Sequence, residues 1–229
     1  MLSNLTYMEE NNNELKKDDI KKNGIFVKVL KEISEWVICF IIAYIIYLLL
    51  NYFVGTISGV KQVSMLPTTK EGERLLIQRT TIFKRDLNYG DIITFEAPLE
   101  DNVDTYEQDT MAKYKNRKGI DLFLYDFVGI GKMSYIKRVI GLPGDHIIIG
   151  SDGYVYRNGQ KLEENYLKDG MTNQIGNYSD VVVPQDSVFV MGDNRYQSKD
   201  SRYFGCVPID KVNGYVICRV WPFNKLGKI

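Results

Sequence analysis

The chain has 229 residues, and its 29 basic and 29 acidic side chains give a formal net charge of zero. This length allows one medium-sized domain with a hydrophobic core, together with a smaller appendage. The balanced charge argues against nucleic-acid binding. The 16 tyrosines favour β structure.

The N-terminal part of the chain predicts a tail followed by a membrane anchor. Residues 1–35 mix Asn, Lys, Asp and Glu and predict a cytoplasmic tail that is disordered at first and helical near the membrane. No residue from Trp36 to Val60 is charged. As a helix rising about 1.5 Å per residue, about 20 residues cross a hydrocarbon core of about 30 Å. Residues 36–54 therefore predict a transmembrane helix. A buried core helix is seldom apolar on every face, and a cleavable signal peptide has a shorter apolar run ending in an Ala-x-Ala-like site, so an uncleaved anchor is favoured.

Lysines flank this segment unevenly. Lys61 and Lys70 are the nearest after it, whereas six precede it, namely Lys16, Lys17, Lys21, Lys22, Lys28 and Lys31. The positive-inside tendency predicts a cytoplasmic N-terminus and an extracytoplasmic domain of residues 55–229. We therefore expect a single-pass protein of the cell membrane. Aromatic candidates for contact with the lipid bilayer are Tyr52, Phe53, Trp221 and Phe223.

The first motif after the anchor is Ser-Met-Leu-Pro-Thr, residues 64–68. Proline fixes its own φ and disfavours the helical conformation for Leu66. The segment after Ser64 is therefore predicted to be a rigid, extended platform. A serine hydroxyl is a poor nucleophile until a neighbouring group removes its proton.

Beyond this motif, short alternating or β-branched runs separated by turns predict a mostly antiparallel β domain. Asn158-Gly159 predicts a hairpin turn, because both turn positions tolerate positive φ. Residues 97–133 interrupt the rhythm and are interpreted as an elaboration on the core, a loop with a packed helix or hairpin, in preference to a dedicated partner site. The predicted strands are 75–77, 91–95, 135–140, 146–149, 154–156, 181–183, 187–191 and 215–220.

The second motif is Tyr-Ile-Lys-Arg-Val-Ile-Gly-Leu-Pro-Gly-Asp, residues 135–145. A neutral lysine can replace histidine as the base for a serine. Its pKa, near 10.4 when free, must fall, and burial among apolar groups without a carboxylate partner lowers it. Lys137 lies between Ile136 and Val139 on a strand-like run, so it can point into such a pocket. Arg138 would then face the opposite side.

Histidine and cysteine give little support to other chemistries. The one histidine, His146, lies in an apolar-flanked strand, and we predict a structural role for it. The spacing of Cys39, Cys206 and Cys218 fits no metal site, so no metal is expected. Cys206 and Cys218 are interpreted as two buried thiols, with a disulfide as the alternative in an extracytoplasmic domain.

A third run, Gly-Asp-Asn-Arg-Tyr-Gln-Ser-Lys-Asp-Ser-Arg, occupies residues 192–202. The three runs resemble the motif boxes of bacterial signal peptidase I, the membrane-bound Ser/Lys protease that removes secretory signal peptides. Tyr-Gly-Asp-Ile-Ile-Thr-Phe (89–95) and Arg-Val-Trp-Pro-Phe-Asn-Lys-Leu-Gly (219–227) also match this family. The resemblance covers the anchor and nearly the whole external domain, and it implies an antiparallel β catalytic domain of the signal peptidase type.

The resemblance also implies roles for individual residues. Ser64 would be the nucleophile and Lys137 the general base. Ser198 would orient the lysine by a hydrogen bond, and Asp200 and Arg202 would form a supporting ion pair. Residues 192–194 would form a turn beside the site, and Tyr135 and Arg138 complete the supporting set.

Two positions depart from the usual family pattern. Thr69 stands where members often have leucine. Gln62 stands where a serine assists the oxyanion hole in some members, so Gln62 is left out of the catalytic set. The backbone amide of Ser64 is expected to contribute to the hole.

The resemblance implies secretory preproteins as substrates and no cofactor. An extended peptide would dock along a strand edge through main-chain hydrogen bonds, with small residues at the first and third positions before the cut. The expected pocket residues are Gln62, Val63, Met65 and Ile136. The alternative is a signal-peptidase-like protein of a pilus or other surface-assembly locus, acting as a specialised protease or chaperone. The anchor argues against a soluble autoprotease of the SOS-repressor type, and Lys137 against an endoplasmic-reticulum-type enzyme with histidine at that position.

Overall fold

The computed structural model describes residues 28–51, 55–79, 86–99, 114–125, 133–167, 170–172 and 176–229. The chain divides into two compact units, one ending at Leu49 and the other extending from Leu50 to the C-terminus. The described part of the first unit is helical, and the second unit contains the strands.

Helix α1 spans Lys28–Asn51, and its 24 residues are long and apolar enough to cross a membrane, by length and composition. It begins eight residues before the predicted span at Trp36, in the part of the tail next to the membrane that was expected to be helical, where good helix formers such as Lys31 and Glu35 continue the helix. Residues 52–54, the end of the predicted span, lie outside the described residues. So do Tyr52 and Phe53 and residues 1–27 of the predicted tail.

The second unit is built from antiparallel β-sheets, as predicted. Among the described residues, one sheet has seven strands in the order β1-β2-β11-β3-β4-β9-β10, and the other has four in the order β7-β6-β5-β8. The strands are β1 Thr56–Gly59, β2 Arg74–Arg79, β3 Ile92–Glu96, β4 Ser134–Gly141, β5 His146–Ile149, β6 Val155–Arg157, β7 Gln160–Lys161, β8 Asp180–Val182, β9 Ser187–Met191, β10 Val207–Pro208 and β11 Val212–Trp221. Two short helices are α2 Gly119–Phe123 and α3 Ser201–Phe204.

The predicted hairpin is present between β6 and β7. Asn158 has a φ of 53° and Gly159 a φ of 78°, the conformation that an Asn-Gly turn allows. All eight predicted strands are present with small shifts at their ends. Strands β1 and β10 were not predicted, because they are short and lack a clear alternating pattern, and the two-residue β7 was implied only as the second arm of the hairpin.

The hydrophobic core of the large sheet reaches the second motif. Phe95 on β3, Tyr135 on β4 and Phe204 on α3 form an aromatic cluster with ring centroids 6.0 to 6.4 Å apart. Phe95 and Phe204 are almost fully buried. The direct pairing of Phe95 with Tyr135 in the β3–β4 ladder places both rings on the same sheet face.

Part of the 97–133 segment is described, and there it packs on the end of β3. Arg117 forms an ion pair with Glu96, and its guanidinium lies 3.9 Å from the ring centroid of Tyr125. Tyr114 and Tyr125 are buried, and the short helix α2 lies between them in sequence. The helix itself is not packed as predicted, because none of its five residues is buried; the described contacts to the core are made by Tyr114, Arg117 and Tyr125 instead.

Candidate active site

Ser64 lies in a tight turn between β1 and β2. The Leu66 amide donates to the Val63 carbonyl at 3.1 Å, and the Thr69 amide donates to the Met65 carbonyl at 2.9 Å. The prediction of an extended platform is therefore wrong, because these two hydrogen bonds close the backbone into a turn. Ser64 itself is 4% exposed.

The loop after β9 fastens this turn from the other side. The Asn194 amide donates to the Ser64 carbonyl at 3.0 Å, and the Asn194 side-chain amide donates to the Val63 carbonyl at 3.2 Å. The Thr68 hydroxyl donates to the Asp193 carboxylate. The third motif thus holds the backbone on both sides of the Ser64 side chain.

Strand β4 brings Lys137 to the serine. Lys137 Nζ lies 2.8 Å from Ser64 Oγ and donates to the Ile136 carbonyl at 3.0 Å. Nζ also lies 5.3 Å from the ring centroid of Tyr135. Lys137 is 1% exposed, although it carries a group that water normally solvates.

The burial of Lys137 changes its proton affinity. Desolvation lowers its pKa from the ordinary value of 10.5 to about 8, because the aromatic core beside it stabilises a charge poorly. The negative charge of Asp200 acts in the opposite direction, and the positive charge of Arg202 offsets part of that effect. A substantial fraction of the amine is therefore neutral just above neutral pH.

Arg138 faces away from Lys137, as strand alternation predicts. It holds the Asp193 carboxylate with Nε at 2.8 Å and Nη2 at 2.6 Å, and Nη1 donates to the Gly90 carbonyl at 2.9 Å. Its guanidinium also lies 4.1 Å from the ring centroid of Tyr166. Arg138 therefore holds Asp193, a residue of the third motif, in place.

Asp200 and Arg202 form the predicted ion pair. Arg202 Nε and Nη2 donate to the two carboxylate oxygens at 2.8 and 2.9 Å, and both residues are at most 1% exposed. Burial alone would raise the pKa of Asp200, but the hydrogen bond and charge of Arg202 hold it below its ordinary value. Asp200 also accepts the Gly192 amide at 3.0 Å, so the pair holds the start of the third motif.

Ser198 is buried, and the predicted hydrogen bond between its hydroxyl and Lys137 is not present. Its Oγ makes no well-formed hydrogen bond to any residue that the structure describes. The hydroxyl lies close enough to the Asp200 carboxyl to help lower the pKa of that group. It packs against Gly192, where an added Cβ would lie 2.2 Å from Ser198 Oγ.

A cleft of about 350 Å³ opens over Ser64 and Lys137. Gln62, Val63 and Tyr135 line it, together with Lys61, Gln197 and Lys199. Met65, predicted as a pocket residue, has no exposed surface because its side chain packs inside the domain. That prediction is wrong for this structure.

Ile136 does not line the cleft, although its carbonyl accepts a hydrogen bond from Lys137 Nζ. Its side chain shares a face of β4 with Arg138, opposite Lys137, so the prediction of a side-chain pocket at Ile136 is wrong. Val139 exchanges backbone hydrogen bonds with the Gly90-Asp91 segment at 2.8 and 2.9 Å. By alternation, the N–H and C=O groups of Ile136 point away from β3. Because the β4–β9 pairing begins at Arg138, no strand within the described ranges pairs with these groups, and they lie at a strand edge where the carbonyl accepts Lys137 Nζ.

Sequence reasoning did not identify a further buried ion pair beside the site. Arg195 donates to the Glu164 carboxylate with Nη1 at 3.0 Å and to the Gly192 carbonyl with Nε at 3.0 Å. It also donates to the Thr172 hydroxyl. Arg195 lies in the third motif, but Glu164 follows β7 and carries no sequence signal that pairs it with this arginine.

The remaining candidates lie apart from this chemistry. His146 is on β5 of the smaller sheet, where its Nε2 lies 2.6 Å from an Asp180 carboxylate oxygen. The three cysteines are free; Cys206 is buried, and Cys218 is partly exposed. Among the described residues, no group of three or more His, Cys, Asp or Glu side chains could hold a metal ion.

Comparison with known proteins places these motifs in context. The sequence profile described as "Signal peptidase, peptidase S26" matches residues 33–221. The chain is 30% identical over 210 residues to signal peptidase IB of Staphylococcus aureus strain COL, covering 85% of this chain and 93% of the relative. It is 32% identical over 197 residues to a probable signal peptidase I-1 of Synechocystis, covering 86% and 87%. The crystal structure of a signal peptidase I from Enterococcus faecalis V583 matches with a TM-score of 0.39 and 27% identity, covering 57% of this chain and 97% of that one.

Proposed function

Because the chain belongs to the signal peptidase family, peptidase S26, we propose that it cleaves signal peptides with Ser64 as nucleophile and Lys137 as general base. One observation carries this assignment: the buried Lys137 Nζ lies 2.8 Å from Ser64 Oγ. This distance is within reach for direct proton transfer. The reaction is peptide-bond hydrolysis by a membrane-bound serine endopeptidase.

The two side chains divide the chemistry between them. The neutral amine of Lys137 takes the proton of Ser64 as Oγ attacks the carbonyl carbon of the residue before the cut. The resulting ammonium then gives this proton to the departing amine, and the peptide bond breaks. A water molecule, deprotonated by the same amine, hydrolyses the acyl-enzyme and regenerates Ser64.

The surrounding residues hold this geometry and stabilise charge. Asp200 and Arg202 support the loop that carries Ser198, and Asn194 fixes the carbonyl of Ser64. The backbone amide of Ser64 is the expected donor to the oxyanion, and one such donor commonly lowers the barrier by about 3 kcal/mol. Gln62 lines the cleft but has no assigned part in the hole.

The substrate is proposed to dock as an added strand. At this strand edge Ile136 can offer an extended peptide its N–H group and the second lone pair of its carbonyl, which already accepts Lys137 Nζ; this supports the proposed main-chain recognition. Val63 and Tyr135 line the cleft together with Ser64, and they are the proposed contacts for small side chains at the first and third positions before the cut. Preproteins with Ala-x-Ala-like sites have such residues.

Helix α1 is the proposed membrane anchor. Its length matches the hydrocarbon core of a bilayer, and the lysines before it favour a cytoplasmic N-terminus. We therefore place residues 55–229 on the extracytoplasmic side of the cell membrane, where translocated preproteins emerge.

The test is cleavage of a purified preprotein with an Ala-x-Ala site by the full chain in detergent. We expect cutting after the second alanine by wild type and by Lys118→Ala, a control at an exposed lysine. Ser64→Ala and Lys137→Ala should each lose nearly all turnover while remaining folded by circular dichroism. Cleavage by either folded variant would exclude the dyad. No cutting by folded wild type would favour the role in surface assembly.

A further inference from the structure

The candidate cleft has a distinctive charge distribution. Lys61 precedes Ser64 by three residues, and Lys199 lies between Ser198 and Asp200 in the third motif. Both lysines are exposed and line the cleft, and no carboxylate is among its described lining residues. Neither lysine forms an ion pair within the described part of the chain.

The neighbouring carboxylates do not offset this positive charge. Asp193 is paired with Arg138, and Asp200 is paired with Arg202. A third carboxylate near the dyad, Glu164, is paired with Arg195. Lys61 and Lys199 therefore give the cleft a local excess of positive charge, although the chain as a whole has no net charge.

We propose that Lys61 and Lys199 make this cleft selective for substrates with an acidic side chain beside the scissile bond. This inference rests on the proposed function and defines its substrate class. In an extended peptide, side chains at the first and third positions before the cut point to one side. The requirement for small residues applies only to those two positions, so the second position before the cut and the first two positions after it can carry the acidic group.

The attraction should act on binding rather than on the chemical step. An added carboxylate near Lys137 raises the pKa of that amine, which removes any gain in kcat at neutral pH. The lysines are exposed, so the attraction is modest and is screened within about 10 Å at 0.1 M salt. The expected signature is a lower KM that depends on ionic strength.

The experiment compares preproteins with Asp, Asn or Lys at the second position before the cut, or at the first or second position after it. With wild type in neutral detergent and about 50 mM salt, we expect KM for the best Asp substrate to be about threefold lower than for its Lys counterpart. The difference should shrink in about 0.5 M salt. Lys61→Glu and Lys199→Glu should reduce or reverse it, and the matched control Lys118→Glu should leave it unchanged.

The outcomes separate this inference from the proposed function. If wild type cuts all substrates with equal KM, or if both charge reversals leave the preference intact, the selectivity is overturned while the peptidase assignment stands. If the reversals act only in phosphatidylglycerol vesicles and not in neutral detergent, the lysines bind lipid headgroups and the inference is wrong. If folded wild type cuts no substrate, the proposed function itself fails.

Discussion

Arg138, the residue directly after Lys137 on β4, donates two hydrogen bonds to the Asp193 carboxylate, at 2.8 and 2.6 Å. Two adjacent residues of β4 therefore act on opposite faces of one strand. Lys137 contacts the Ser64 hydroxyl, while Arg138 holds Asp193. The residue after Asp193 is Asn194, whose amide donates to the Ser64 carbonyl. The register of a single strand thus couples the proposed base to the position of the proposed nucleophile.

Asp193→Asn should weaken both the fold and catalysis. The substitution leaves the Arg138 charge without its partner, and breaking a buried pair in this way costs about 3 to 5 kcal/mol. Because Asp193 also accepts the Thr68 hydroxyl, the Ser64 turn should loosen and kcat should fall. Denaturant unfolding and cleavage assays measure these effects. In a double-mutant cycle with Arg138→Met, additive losses would show that the two side chains are not coupled.

The cleavage rate should rise with pH as Lys137 loses its proton. Burial lowers its pKa to about 8, so the active neutral amine increases about tenfold per pH unit below that value and saturates above it. We expect kcat to climb from pH 6 to 8 and to level off between pH 8 and 9. Single-turnover cleavage across this range tests the assignment, and a flat profile would exclude Lys137 as the base.

Replacing the base should stabilise the fold at neutral pH. The pKa of Lys137 is about 8 in the folded state and near 10.5 in the unfolded state. Between pH 8 and pH 10.5 the unfolded chain therefore holds a proton that the folded chain has released. The free energy of unfolding of wild type therefore rises with pH over this window. Below pH 8 the folded state bears the full energetic penalty of burying a charged lysine.

Lys137→Met removes this penalty while keeping a long apolar side chain. We expect the variant to be more stable than wild type by up to roughly 3 kcal/mol at pH 7. The advantage should disappear as the pH approaches 10.5. Urea unfolding at pH 7 and pH 10 tests this expectation. A difference that is the same at both pH values would mean that the lysine is not destabilised by burial.

Sequence alone predicted the parts of the molecule whose signals are local. Alternating patterns located the eight strands, and Asn158-Gly159 located a hairpin. The pairing of Ser64 with Lys137 came from motif resemblance, because the two are 73 positions apart and no local pattern joins them.

The features that sequence reasoning missed depend on tertiary contacts. Met65 follows the serine directly, yet the turn directs its side chain into the interior. Glu164 pairs with Arg195 across 31 positions, through a loop without a recognised motif. The strand edge at Ile136 depends on where the β4–β9 pairing begins, which is a property of the folded sheet.

Gly192→Ala adds a single methyl group, yet it should greatly reduce cleavage activity. An added Cβ would lie 2.2 Å from Ser198 Oγ and 2.5 Å from the Ser64 carbonyl oxygen, closer than real Cβ contacts allow. The Ser198 hydroxyl can rotate, but the Ser64 carbonyl is backbone that Asn194 already fixes, so the turn must shift. Since small displacements of reacting groups cost about 100-fold in rate, we expect a loss of that order in kcat.

Gly59→Ala is the matched control, because no heavy atom lies within 4 Å of its added Cβ. Equal activity of the two variants in the preprotein assay would show that the third motif does not constrain Ser64.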